Sequence, residues 1–338
     1  MERWLARLWY ERKSPPAWLL PLSLLFAAAV ALRRRLYASG WCRSQRLPVP
    51  VLVVGNITVG GTGKTPLTLA LVRALRHSGW RPGIICRGYG AENRAVRPVN
   101  PDDDPGAAGD EALLMAVRSG VPVWAGRDRS AAGRDLLQAH PEVNLLVSDD
   151  GLQHLALMRT MEIAVVDGER LLGNGALLPA GPLREPRSRL GSVDALVTNG
   201  PAGGPLAPGV PQFVLTLKPV GWVPLDGSGP PREATHFSGR QAHAVAGIGH
   251  PQRFFRLLAS LGVRAIPHAF PDHHPFRPGE LRFEPAAPLL MTEKDGIKCR
   301  KFALPDSWML PVEADLDPAL VALVDRTLRR REHGPTTA

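Results

Sequence analysis

The chain has 338 residues, of which 44% are hydrophobic, and a formal net charge of +10. That length and apolar content exclude a disordered chain and suggest two domains or one large one. Three widely spaced cysteines with no CxxC pair, Cys42, Cys86 and Cys299, argue against a disulfide framework or structural zinc and fit a reducing compartment. The positive charge is carried by 35 Arg against 6 Lys. Such an excess favours anionic partners, although a compositional bias of the genome writes the same pattern.

The first predicted element is apolar. Ala17 to Leu32 reads AWLLPLSLLFAAAVAL, 16 residues without a charge. As a helix it would span about 24 Å at ~1.5 Å per residue, short for a bilayer core of about 30 Å. Pro21 either kinks this helix or marks its start. Arg12 and Lys13 precede it, and Arg33, Arg34 and Arg35 follow. Trp4, Trp9, Trp18, Trp41, Tyr10 and Tyr37 crowd the same region, a pairing of aromatics and Arg that suits the headgroup layer. A cleaved signal peptide is disfavoured, because export would strand the nucleotide loop that follows. The favoured reading is an interfacial or monotopic anchor, with a true span and an ordinary packed helix as alternatives.

From residue 49 apolar runs alternate with amphipathic stretches. Strands are predicted at 49–54, 84–86, 121–124, 143–148, 163–166, 195–198 and 213–217, with helices at 65–77, 110–118 and 127–139. This alternation predicts a mostly parallel, doubly wound α/β sheet. Gly- and Pro-rich runs at 200–211 and 219–231 read as an interdomain connection. A smaller α/β unit follows, with strands at 242–249, 263–266 and 287–295 and helices at 252–261 and 319–331. The expected domains are an N-terminal membrane-associated segment (1–40), a larger α/β domain (41–217), a linker (218–238) and a smaller C-terminal α/β unit (239–331). The tail EHGPTTA reads as frayed.

Four runs carry chemistry. VGGTGKT (59–65) lies between a strand and a helix, the context of a phosphate-binding loop. Its strict first glycine is replaced by Thr58, so Gly60, Gly61 and Gly63 must supply the wrap. The expected nucleotide-binding residues are Thr58, Val59, Gly60, Gly61, Thr62, Gly63, Lys64 and Thr65, with Lys64 on the β- and γ-phosphates and Thr65 on Mg²⁺. LLVSDDG (145–151) ends an apolar strand in two carboxylates, the Walker B arrangement; Asp149 is the first choice for the metal and Asp150 the second. GDEA (109–112) offers Asp110 as a candidate base or as a simple helix cap. FPDHHPF (270–276) offers His273 or His274 as its partner, with zinc as a rival reading and a plain surface loop as a third.

A Pro-rich loop, LLPAGPLREPRSRL (177–190), holds Arg184, Arg187 and Arg189, which suit a phosphorylated or interfacial partner or else a solvated surface. Gln153 and His154, which follow the paired acids, complete the candidate substrate-side set. No helix-turn-helix, RRM or zinc-finger signature is present, so nucleic acid is not an expected partner.

Taken in order, VGNITVGGTGKTP, RGYG, GDEA, SDDGLQH, LLPAGPLREP, GIGHPQRFF, FPDHHPF and TEKD resemble the motif series of the tetraacyldisaccharide 4'-kinases, the lipid A 4'-kinases of Gram-negative bacteria. The resemblance implies transfer of the γ-phosphate of ATP to the 4'-hydroxyl of an acylated glucosamine disaccharide 1-phosphate, giving lipid IVA. It implies a Mg²⁺-dependent enzyme on the cytoplasmic face of the inner membrane, with its site between two domains. It places the base on Asp110, the paired histidine on His273 and the metal acids on Asp149 and Asp150. Two positions depart from the family pattern, Ala112 where proline is frequent and His250 where asparagine is. A membrane-tethered nucleotide switch and a soluble small-molecule kinase are the rival readings; Val59 stands where a switch protein often carries lysine.

Overall fold

The computed structural model describes residues 3–12, 14–90 and 95–332; Lys13 and the tail beyond Glu332 lie outside the described residues. The chain opens with helix α1 (Arg3–Tyr10) and, after a short 3-10 turn, helix α2 (Leu20–Ala38). Pro21 sits in the first turn of α2, where a missing N–H costs nothing, so it marks a start and not a kink. Leu24 and Leu25 of α2 are 71% and 68% exposed, and Trp18, Leu22 and Leu32 are exposed with them. Ser23 is buried on the opposite side.

The larger unit runs β1 (Val51–Gly55), α3 (Lys64–His77), β2 (Pro82–Cys86), β3 (Arg97–Pro98), α4 (Pro105–Ala108), α5 (Asp110–Ser119) and β4 (Val123–Ala125). It continues with α6 (Arg129–Ala139), β5 (Leu145–Asp149), β6 (Met161–Asp167), β7 (Ala195–Asn199) and β8 (Gln212–Pro219). The smaller unit follows with β9 (Val223–Pro224), β10 (Gln241–Ala246), α7 (Pro251–Ser260), β11 (Arg264–Ala269), β12 (Leu289–Thr292), α8 (Glu293–Cys299) and β13 (Ser307–Leu310). β14 (Val312–Asp315) and α9 (Pro318–Glu332) close the chain.

Among the described residues the larger sheet has nine strands in the order β14-β8-β7-β6-β1-β5-β2-β4-β3, parallel except at its two edges. Every residue of β1, β2, β5, β6 and β7 is buried, as expected of parallel strands covered on both faces. Helix α3 lays Leu67, Leu71, Val72 and Leu75 on one of those faces. The smaller sheet, β11-β10-β12-β13-β9, is parallel except for β9.

Sheet membership divides the chain differently from the boundaries drawn on composition. Trp222 and Phe237 lie in the run expected to be a linker, yet both are fully buried in the smaller core with their rings edge to face. β14 and α9, which by position fall in the smaller unit, belong to the larger one. β14 pairs antiparallel with β8, and Leu320, Val324 and Leu328 of α9 join the core that covers α3. The smaller unit is therefore inserted between β8 and β14. Gly and Pro density marks turns; it carries no information about which sheet a neighbouring strand joins. Residues 293–295, expected as the charged exit of a strand, instead open helix α8. Thr292 caps it by accepting from the Asp295 N–H at 3.1 Å.

Candidate active site

A cleft of about 930 Å³ opens where the carboxyl ends of the parallel strands meet the smaller unit. The loop after β1 forms one wall. Gly60 and Gly63 have φ of +106° and +94°, backbone that only glycine adopts without cost. A Cβ on Gly63 would also fall 2.5 Å from the Asn199 amide nitrogen. That amide, at the end of β7, donates to the Thr62 carbonyl at 3.2 Å and so pins the loop from below. Asn56 donates to the Thr62 hydroxyl at 3.2 Å. Lys64 and Thr65 then begin α3, whose amino end supplies free N–H groups toward a phosphate.

The start of the loop has a different task. Thr58 is buried in a bridge with Leu183, and the Val59 N–H donates to the Pro182 carbonyl at 2.8 Å. Val59 lines the cleft, as expected of a nucleotide-site residue, but its amide is already spent on Pro182 and is not available to a phosphate. Only a through-space partner could reveal this, and local spacing does not encode Pro182.

The paired acids separate by environment. The Thr68 hydroxyl donates to Asp149 at 2.8 Å, and no cation lies within 4 Å of Asp149 among the described residues. Burial, helped by the Glu111 charge and opposed by Lys64, pushes the Asp149 carboxyl up to about 7. Asp150, in left-handed backbone at φ +50°, meets Lys64 at 3.5 Å and Arg184 at 3.1 Å. Burial opposes its ionisation, but Lys64 and Arg184 outweigh it and hold the carboxyl well below the usual range. Asp150 is thus compensated by protein cations, while Asp149 is left to be compensated by a ligand. With Thr65 beside them, these donors are hard oxygens, which fit Mg²⁺.

Across the cleft, Asp110 is the first residue of α5 and faces His273. The Nδ1 atom lies 2.8 and 3.0 Å from the two carboxylate oxygens. Gly109 makes this approach possible: a Cβ there would sit 2.5 Å from the Tyr89 carbonyl. The Tyr89 ring packs 4.5 Å from the His273 ring. His274 instead turns to Glu280 at 3.2 Å, so of the two histidines it is His273 that pairs with Asp110. Zinc is not supported at this loop, since among the described residues no third ligand joins His273 and His274.

Lys294, at the start of α8, reaches Glu111 at 2.9 Å, Asp272 at 3.4 Å and Asp110 at 3.8 Å. Lys298 lies 4.0 Å from Asp110. Burial would neutralise Asp110, but the His273 bond and the Lys294 charge overcome it and lower its pKa. His273 is raised in turn: burial opposes, the Asp110 bond prevails. Lys294, Lys298, Glu111 and Asp272 are functional neighbours that the motifs alone do not single out. Three of these lie in TEKD, GDEA and FPDHHPF, but nothing local shows that those runs converge.

A family model described as tetraacyldisaccharide-1-P 4'-kinase matches residues 16–329. The chain belongs to that family. A relative named tetraacyldisaccharide 4'-kinase from Dechloromonas aromatica is 50% identical over 98% of this chain and 99% of its own. Another of that name, from Azoarcus, is 50% identical over 96% of this chain and 95% of its own. Among solved structures, the "apo" form LpxK from Aquifex aeolicus in complex with ATP matches with a TM-score of 0.78 at 30% identity, covering 92% of this chain and 98% of that one.

In this member of the tetraacyldisaccharide 4'-kinase family, the arginines of the 177–190 loop divide by burial. Arg184 lines the cleft and Arg187 is exposed. Arg189 is buried against the Glu162 carboxylate at 2.6 Å, with Glu185 3.5 Å away. The expected substrate-side role of Arg189 is therefore corrected to a fold-holding one; a residue count cannot see that β6 brings Glu162 beneath the loop. Gln153 donates to Glu185 at 2.7 Å and to the Asn56 carbonyl at 2.9 Å, while Arg34 of α2 meets the other Glu185 oxygen at 2.8 Å. Burial, then Arg129, pushes His154 down to about 4, so its ring is neutral near pH 7. Arg189→Ala leaves Glu162 with Arg159 alone, at 2.7 Å, and is expected to cost about 1–3 kcal/mol of stability. Denaturant midpoints should fall, while the acceptor KM of the remaining folded protein should hold.

Proposed function

We infer that the chain is an ATP-dependent kinase of lipid A biosynthesis that phosphorylates the 4'-hydroxyl of tetraacyldisaccharide 1-phosphate and so forms lipid IVA. The observation that carries this reading is the Asp110–His273 pair, whose histidine lines the same cleft as the phosphate loop with Asp110 buried directly behind it. A nucleotide switch needs no base for an acceptor hydroxyl; a kinase does.

The acceptor oxygen attacks the γ-phosphorus, the bond to ADP breaks, and the hydroxyl proton passes to Asp110. His273 orients that carboxylate and stabilises its charged form before transfer. Lys64 and the amides from Gly60 to Thr65 neutralise charge on the phosphoryl oxygens. Thr65 and Asp149 would hold Mg²⁺, with Asp150 behind them on Lys64 and Arg184. Bound there, the ion would supply positive charge against the phosphates.

The exposed apolar side of α2 supports a peripheral or monotopic seat on the cytoplasmic face of the inner membrane. The acceptor's acyl chains then stay in the leaflet while its sugar reaches the cleft. Arg33, Arg35 and Arg187 are exposed and suit its 1-phosphate or anionic headgroups. The deciding experiment follows phosphate from labelled ATP into purified tetraacyldisaccharide 1-phosphate and maps its position. Label at the 4'-oxygen, with little ADP formed when acceptor is withheld, is expected. Equal ADP formation with and without acceptor would return the reading to a switch.

A further inference from the structure

The N-terminal segment does more in this fold than project an apolar face. Leu5 and Trp9 of α1 line the main cleft. The Tyr10 hydroxyl donates to the Val59 carbonyl at 3.0 Å, on the phosphate loop itself. The N–H of the same residue is held by Pro182, so Val59 is fixed at both polar atoms. Pro182 is in turn tied to the helices. Trp9 Nε1 donates to the Pro179 carbonyl at 2.9 Å, and the Asn174 N–H donates to the Trp9 carbonyl at 2.8 Å. The Ser23 hydroxyl of α2 donates to the Leu177 carbonyl at 2.9 Å and accepts from the Ala180 N–H at 3.0 Å. A Cβ on Gly173 would fall 2.6 Å from the Trp9 carbonyl, so the helix and loop approach as closely as backbone permits.

A second contact leaves the same tyrosine. The Arg170 guanidinium lies over the Tyr10 ring, 4.7 Å from its centre, and donates to the Gly249 carbonyl of the smaller unit at 3.0 Å. Gly249 abuts the phosphate loop: a Cβ there would stand 2.6 Å from the Gly61 nitrogen. Tyr10 therefore reaches the loop directly at Val59 and through Arg170 and Gly249 at Gly61. Burial pushes the Tyr10 hydroxyl up to about 12, so it stays a donor throughout the working range of pH.

We propose that Tyr10 and Arg170 are positioning residues through which the N-terminal segment sets the phosphate loop, so that this segment controls nucleotide affinity as well as acceptor capture. The proposal rests on the reading of the loop as the ATP site. It assigns the anchor a part in the nucleotide half-reaction, which a simple tether would not have. A hydroxyl removed from Tyr10 frees the Val59 carbonyl and lets the loop entrance shift. An ordered loop amide displaced by a fraction of an ångström loses hydrogen bonding to phosphate steeply.

The test uses the full chain in detergent micelles, with Mg²⁺-ATP affinity measured by calorimetry in the absence of acceptor. Tyr10→Phe keeps the ring on Arg170 and removes only the donor. Its ATP Kd is expected to rise by roughly three- to tenfold, the scale of one lost hydrogen bond. Arg170→Lys keeps the charge but loses the planar stack and the fork that reaches Gly249, and should shift the ATP Kd in the same direction. Co-sedimentation with phosphatidylglycerol-containing vesicles, and the acceptor KM, should stay within about twofold for both variants. Unchanged ATP affinity in both variants would overturn the proposal and leave α1 as a tether. If the parent chain fails to phosphorylate the disaccharide while the variants still weaken ATP binding, the kinase reading falls and the positioning role stands.

Discussion

Asp110→Asn should lower the turnover number by roughly 10²–10⁴, the range for losing a positioned base, while ATP affinity stays close to that of the parent. The amide keeps the shape of the carboxylate but has no lone pair basic enough to take the acceptor proton. Because the nucleotide side of the cleft is untouched, the loss belongs in kcat and kcat/KM together, the mark of an interaction made in the transition state. His273→Gln separates the partner's role. The His273 bond is what first offsets the burial of Asp110, with Lys294 behind it. Removing it raises the Asp110 pKa toward the value that burial favours. Transfer needs the ionised carboxylate, so the acid limb of the pH–rate profile should move to higher pH. At alkaline pH much of the lost rate should return in His273→Gln and none in Asp110→Asn. Turnover near the parental level in Asp110→Asn would remove Asp110 from the role of base.

Much of this arrangement is legible in the amino-acid sequence, because its parts are short and their physics is local. A phosphate loop needs glycines at fixed steps and a lysine at the helix start. An apolar strand that ends in two acids is recognisable for the same reason. Asp110 and His273 are separable from their neighbours only by the order of motifs, since they stand 163 positions apart and neither run contains a sign of the other. What stays hidden depends on approach through space. Arg189 reads like Arg184 in the loop but lies over Glu162 of β6. Val59 reads as a nucleotide-site residue, yet nothing in its run shows that its N–H goes to Pro182. Lys294 reads as a charge at the end of a strand but begins a helix that brings it to Glu111, Asp272 and Asp110. The return of β14 to the larger sheet is set by pairing with β8, and a four-residue strand carries too little pattern to announce its partner.

Lys64→Met should lower turnover by roughly 10²–10³, the scale for removing one donor aimed at developing charge. The side chain keeps its length and its place at the start of α3, so the fold should tolerate the change. Two consequences distinguish this loss from a general one. First, Asp150 keeps Arg184 at 3.1 Å, so its carboxylate remains paired and the end of β5 remains ordered. Second, Asp149 loses the Lys64 charge that opposes its burial, and its pKa climbs above the value of about 7 that it has with Lys64 present. The ionised form binds a hard cation and the protonated form does not. At pH 7 the Mg²⁺ concentration for half-maximal activity should therefore rise, and raising the pH should bring it back toward the parental value while turnover stays low. A Mg²⁺ requirement that is unchanged across pH in Lys64→Met would show that Asp149 is not the carboxylate on which the ion depends.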